Sequence, residues 1–204
     1  MALFKPTTTS NTNNYYGICD IAILGYSDFS KKYDWADIYI DVEIKQKGSD
    51  YTKSIRLAGS LEKEPDGSVK GGSVLNRLYH FFEVLGIQAG INNQGDWETQ
   101  DGQPIKDIAK YLNDNHSSSD REPTTFPFLA YVYKEKPKKA GGKVYTRVHH
   151  KVHPNSTEGR RKLEEDMKWL REKGYLKEVK DNEPSTASME ELDEVFGSDA
   201  MSNM

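Results

Sequence analysis

Between Asp37 and Lys45 the chain alternates without a break: Ile38, Ile40, Val42 and Ile44 fall between Asp37, Tyr39, Asp41, Glu43 and Lys45. A period of two sends successive side chains to opposite faces, so this segment predicts a β-strand with one apolar and one wet face. Upstream, YYGICDIAILGY is rich in β-branched and aromatic residues and predicts a first strand closed by Gly25. After the turn QKGSD, YTKSIRLAGSL predicts a third strand with Ile55 and Leu57 inward. The Pro- and Gly-containing EKEPDGSVKGG then reads as a loop.

Here the period changes. Leu75, Leu78, Tyr79, Phe82 and Leu85 recur at helical spacing, between Ser73 as N-cap and Gly86 as stop. Pro104 is placed to begin a short helix through Leu112, followed by the polar loop NDNHSSSDREP. TFPFLAYVYKEK and GKVYTRVHHKVH predict two strands joined as a hairpin. Over 157–173, Leu163, Met167 and Leu170 share one helical face with Trp169 near it; Gly174 ends the helix and YLKEV adds a brief last strand. This divides the chain into a disordered Thr/Asn/Ser-rich start (1–14), a domain (15–155), a helical extension (156–180) and a disordered acidic tail (181–204). The predicted class is mainly β with helices. Three strands, a helix, an excursion and a hairpin match the order of an OB-fold, a five-stranded antiparallel barrel with its helix between strands three and four. An antiparallel sheet with one packed helix gives a similar string.

A length of 204 residues suits one sizeable domain with extensions. No run of eighteen apolar residues is present, and the N-terminus lacks the apolar core of a secretory signal. Cys19 is the single cysteine, so no internal disulfide or cysteine zinc site can form, and the chain reads as reduced and intracellular, with Cys19 as core filler. Charge changes the picture more. The formal total is −4, yet residues 131–180 carry a net +8 and residues 181–204 a net −7. A basic module is followed by an acidic tail.

The basic module centres on YVYKEKPKKAGGKVYTRVHHKVH, residues 131–153, with ten lysines, arginines and histidines and three tyrosines. Alternation puts Val144, Thr146, Val148, His150 and Val152 on a core face, and Lys143, Tyr145, Arg147, His149, Lys151 and His153 on the other. On the preceding strand Phe128, Ala130 and Val132 face the core, while Leu129, Tyr131 and Tyr133 face away. Lys134, Lys136, Lys138 and Lys139 add to the wet surface, opposed by Glu135 alone. Cations that follow phosphates and flat rings that stack on bases are what single-stranded nucleic acid needs. Lysines on a hairpin also block edge-to-edge pairing, but that role does not call for three tyrosines on the same surface. Tyr131, Tyr133, Tyr145, Arg147, His149 and Lys151 are the expected groove, with Lys134, Lys136, Lys138, Lys139 and Lys143 on its rim. Trp35, Tyr39 and Arg56 join them from the wet side of strands two and three. Neighbouring His149 and His150 point to opposite faces of an ideal strand, and no cysteine or carboxylate cluster lies near; no metal or cofactor is expected.

In order and character, DIYIDVEIKQKG, YTKSIRLAGSL, VLNRLYHFFEVLGI and the closing hairpin FPFLAYVYKEKPKKAGGKVYTRVHHKVHP resemble the OB-fold single-stranded DNA-binding proteins of tailed phages, from about Tyr15 to Pro154. The resemblance implies a non-enzymatic replication and recombination accessory in the host cytoplasm that coats and protects single-stranded DNA. It also implies an acidic tail that recruits replication or recombination proteins, here through Glu190, Glu191, Leu192, Asp193, Glu194, Val195 and Phe196. Family tails often end on an aromatic residue, whereas eight residues follow Phe196 here.

Two other classes fit parts of the chain. Asp41, Glu43 and Lys45 have the D-x-E-x-K spacing that some metal-dependent nucleases place on a strand, where carboxylates hold the ion and the lysine orients water. That nuclease fold expects a flanking helix before its strands, which the N-terminal region does not offer. A protein-binding adaptor would dock its basic face on an acidic partner, and stacking tyrosines argue for bases instead.

Overall fold

The alternation that opens the sequence becomes the centre of a five-stranded antiparallel sheet. The structure, a computed structural model, describes residues 16–118, 120–137, 139 and 142–179. The expected disordered ends, Lys138 and the tail residues Glu190–Phe196 lie outside these. The principal strands are β1 (Gly17–Asp28), β2 (Ile38–Gln46), β3 (Thr52–Gly59), β8 (Phe128–Glu135) and β9 (Tyr145–Pro154), in the order β3-β2-β1-β8-β9. Two small hairpins, β4 (Glu62–Lys63) with β5 (Val69–Gly71) and β6 (Ala89–Ile91) with β7 (Trp97–Thr99), stand apart from it. Helices α1 (Ser73–Leu85), α2 (Ile108–His116) and α3 (Thr157–Glu172) complete the fold. No helix among the described residues is long and apolar enough to cross a membrane.

One face of the sheet builds the main core. Ile38, Ile40, Val42 and Ile44 of β2 and Ile55 and Leu57 of β3 pack with Leu78, Phe81 and Phe82 of α1 and with Ile108 and Leu112 of α2. Gly86 ends α1 in the left-handed region at φ 69°, as its position predicts. Several boundaries differ from expectation. β1 does not close at Gly25 but runs to Asp28 through a bulge, where Asn113 of α2 accepts from Tyr26 N (2.9 Å) and donates to Tyr26 O (2.8 Å). The side-chain amide pairs the edge of β1 that β8, whose ladder with β1 ends at Ile21, leaves open. α1 is capped by Gly72, and Ser73 is its first residue. α2 starts at Ile108 because Asp107 caps it, accepting from Lys110 N at 2.9 Å.

The opposite face of β8 builds a second core. Leu129 packs with Leu163, Met167, Leu170 and Leu176, the apolar stripe of α3 and its exit. Ser156 caps α3 by accepting from Gly159 N at 3.0 Å. A Cβ at Gly159 would stand 2.0 Å from Pro154 O, so only glycine lets α3 turn so closely off β9. Residues 177–179 continue past α3 along β8, with Lys136 N donating to Lys177 O (2.8 Å) and Val179 N to Lys134 O (2.9 Å).

The sheet does not close into a barrel. Four successive antiparallel pairings leave the edge strands β3 and β9 parallel to each other, near but without a ladder between them. Helix α1 contacts both edges, and its Arg77 Nη2 donates to Ala58 O of β3 at 3.1 Å. That carbonyl is one a closing strand would need. β9 is also interrupted: Ala130 pairs with Val152 but Val132 with Val148, so His149, His150 and Lys151 lie opposite Tyr131 alone. The slip is even, so Val148 and Val152 stay on the core face.

Candidate nucleic-acid interface

The hairpin surface expected to be open is in large part roofed by α3. Tyr131 donates to Glu178 Oε2 at 2.8 Å and accepts from Arg171 Nη2, whose guanidinium lies over its ring at 5.1 Å. Tyr133 stacks beside it at 6.1 Å, half-buried. Lys151 pairs with Asp166 of α3, which also holds His153 Nε2 at 3.0 Å. These side chains face away from the main core as predicted, but onto a second core. What remains open is the far end of the hairpin: Tyr145 is 53% exposed, and Lys136, Lys139 and Lys143 are exposed. Arg147 lies between Tyr145 (5.4 Å to the ring) and Glu135 Oε2 (2.8 Å), and Lys134 sits over the ring of Tyr16 at 4.9 Å.

An aromatic group stands free elsewhere. In the loop between β1 and β2, Tyr33 stacks on Tyr39 at 5.2 Å, Trp35 lies 5.9 Å from Tyr39, and Phe29 meets Tyr39 edge-on at 5.9 Å. Lys32 Nζ is 5.2 Å from the Phe29 ring centre. Trp35 is 58% exposed. Local hydrogen bonds hold the loop in place: Asp28 accepts from Ser30 N, Ser30 Oγ accepts from Tyr39 N at 2.8 Å, and Ser60 Oγ donates to Trp35 O at 2.8 Å. Asp37 accepts from Leu61 N and Lys63 Nζ, and these bonds, the Leu61 amide first, hold its carboxyl below the usual range. Sequence reasoning named Trp35 and Tyr39 but missed Phe29, Lys32 and Tyr33. The signal was present in FSKKYDW, which interleaves rings and cations as the hairpin does.

Between the parallel edges of β3 and β9 runs an open groove of about 700 Å³. Lys53 and Arg56 line it from β3, Arg147, His149 and His150 from β9, and Tyr133 from β8, with Tyr16 and Tyr51 at its rim. Tyr51 is 80% exposed. Arg56 stands opposite Asp41 in the β2–β3 register, two positions along from the Tyr39–Ala58 pair and so on the same face, and it connects the aromatic loop to the groove. Its Nε lies 3.7 Å from Asp41 Oδ1, a buried atom without a hydrogen-bond partner. The bulge in β9 overturns one expectation outright. His149 and His150 do not diverge; their rings lie side by side with centres 4.2 Å apart. Burial, followed by neighbouring positive charge, lowers His149 to about 4 and His150 to about 3, so both are neutral at pH 7.

The D-x-E-x-K residues are each held by a different ion-pair partner: Asp41 by Arg56, Glu43 by Arg121 at 3.3 Å, and Lys45 by Glu122 at 3.0 Å. Among the described residues, no group of three or more histidine, cysteine and acidic side chains is arranged to hold a metal ion. No family model, curated protein or solved structure matches this chain.

Proposed function

We propose that this protein binds single-stranded DNA along a track from the Tyr33–Trp35–Tyr39 rings, past Arg56, into the groove between β3 and β9. The groove carries the reading: three cations and several rings meet at two parallel strand edges, in a space of about 700 Å³ open to solvent. A duplex offers its phosphates but not its base faces, whereas an unstacked strand can use both kinds of group at once. The strand order, with α1 between the third and fourth principal strands, fits an OB-type domain opened at the seam its fifth strand would close. The expected hairpin contributions narrow to Tyr145, Arg147, His149 and the exposed lysines, while Tyr131 and Lys151 serve to hold α3. Coating of replication or recombination intermediates, and partner recruitment by Glu190–Phe196, follow from the phage-protein resemblance.

The test is fluorescence anisotropy with single-stranded DNA, duplex DNA and RNA of equal length across a salt series. With about three to five phosphate contacts, log K falls against log salt with a slope of roughly −2 to −3.5, at about −0.7 per contact. Salt-independent affinity, or a preference for duplex, would overturn the reading.

A further inference from the structure

We propose that Arg77, His149 and His150 form an anion subsite at the α1 end of the groove, taking one backbone phosphate of the bound strand; this rests on the single-stranded DNA reading. Arg77 is a half-buried cation whose hydrogen bonds go to two neutral carbonyls, Ser73 O (3.2 Å) and Ala58 O (3.1 Å). No carboxylate among the described residues pairs with it, and burial alone pulls its pKa down. A desolvated charge without a counter-charge is costly, and an anion relieves it.

Arg77 reaches the seam at Ala58 O, two residues along β3 from the groove residue Arg56, and His149 and His150 line the groove from the facing edge of β9. Arg77's charge reaches both rings, and so does that of Lys151. The other groups around them are His80 of α1, Asp166 of α3, Lys53 and Arg56 of β3, and Arg147 and Glu135 flanking the groove. The two carboxylates in this set are already engaged, Asp166 with Lys151 and His153, Glu135 with Arg147. The local field is therefore positive. His80 Nε2, buried and without a hydrogen-bond partner, adds a polar atom to the same corner.

The two histidines differ in what they can do. Lys151 N donates to His149 Nδ1 at 3.2 Å, so His149 carries its hydrogen on Nε2 and offers a neutral donor. Protonating His149 Nδ1 would break that bond. His150 makes no such bond, and a phosphate beside it favours the imidazolium. Binding therefore takes up a proton from solvent onto a ring nitrogen of His150, and affinity must rise as pH falls.

A phosphate that returns His150 to the ordinary histidine range gives about tenfold tighter binding at about pH 5.5 than at about pH 7.5. Anisotropy with labelled oligo-dT at fixed salt measures this in the full chain, and His150→Gln is expected to flatten the profile while His149→Gln leaves it. Independently of how the variants fold, calorimetry of the parent in two buffers of different ionisation enthalpy gives the proton uptake directly, with a fraction of one proton expected at about pH 6. Binding that is strong but flat with pH, with no uptake, overturns the subsite alone. An undiminished profile in His150→Gln does the same. No binding at either pH overturns the single-stranded DNA reading with it.

Discussion

On the hairpin, Tyr131 and Lys151 face the elements that follow it, with Glu178, Arg171 and Asp166 as partners. In the loop before β2, Tyr33 stacks on Tyr39 and Trp35 lies tilted beside it, with their outer surfaces in solvent. Both regions interleave rings with cations, and the hairpin has far more cations, with three tyrosines against the four rings Phe29, Tyr33, Trp35 and Tyr39. Charge therefore ranks them in the wrong order for access. A ring already packed against a helix offers little face for a base, whereas a ring supported on one side and wet on the other is ready to stack.

The sharpest way to break this contrast is to loosen the roof. Leu163→Ala removes a fully buried side chain between α3 and β8 and should cost about 2–5 kcal/mol in urea unfolding. Unaltered stability would mean that α3 does not hold the hairpin face. The boundary between the regions can be tested with acid. His149 has a folded pKa near 4, below its ordinary value of 6.5, so the unfolded chain binds more protons between those values. Its contribution is intact above about pH 6.5 and is lost as pH falls towards 4, by about 3 kcal/mol at 1.36 kcal/mol per unit. Comparing unfolding midpoints of the parent and His149→Gln across that window checks it; parallel pH profiles would contradict the buried neutral ring.

Substituting rings should separate the regions directly. Trp35→Ala should weaken single-strand binding by about 1–3 kcal/mol with little change in stability. Tyr131→Phe should do the reverse, losing about 1 kcal/mol of stability with its bonds to Glu178 and Arg171 while affinity holds. Equal binding losses at both sites would erase the distinction drawn here. The smallest effect concerns the link between loop and groove. Arg56→Gln should reduce the salt slope by about 0.7 if this guanidinium meets one phosphate. An unchanged slope would confine Arg56 to its partner Asp41.

The sequence alone determined what depends on near neighbours. Alternation gave β2 its buried and wet faces, the 3.6 spacing gave α1 and the apolar stripe of α3, and Gly86 marked the end of α1. These features were legible because side chains two, three or four residues apart share a face whatever else the chain does. Periodicity also separated the two faces of β8, but it could not tell what would lie against the outer one. Leu129 held a clue, since an aliphatic residue among the outward tyrosines is out of place on an open face, and the stripe of α3 needed a partner. Tertiary structure decided the rest: α3 covers the tyrosines through contacts 40 and 47 residues apart in sequence. It also placed two histidines side by side at a bulge and left β3 and β9 unjoined with Arg77 between α1 and the seam. Each of these depends on pairings between distant segments, whose free energies are set by the packed whole and leave no local period in the chain.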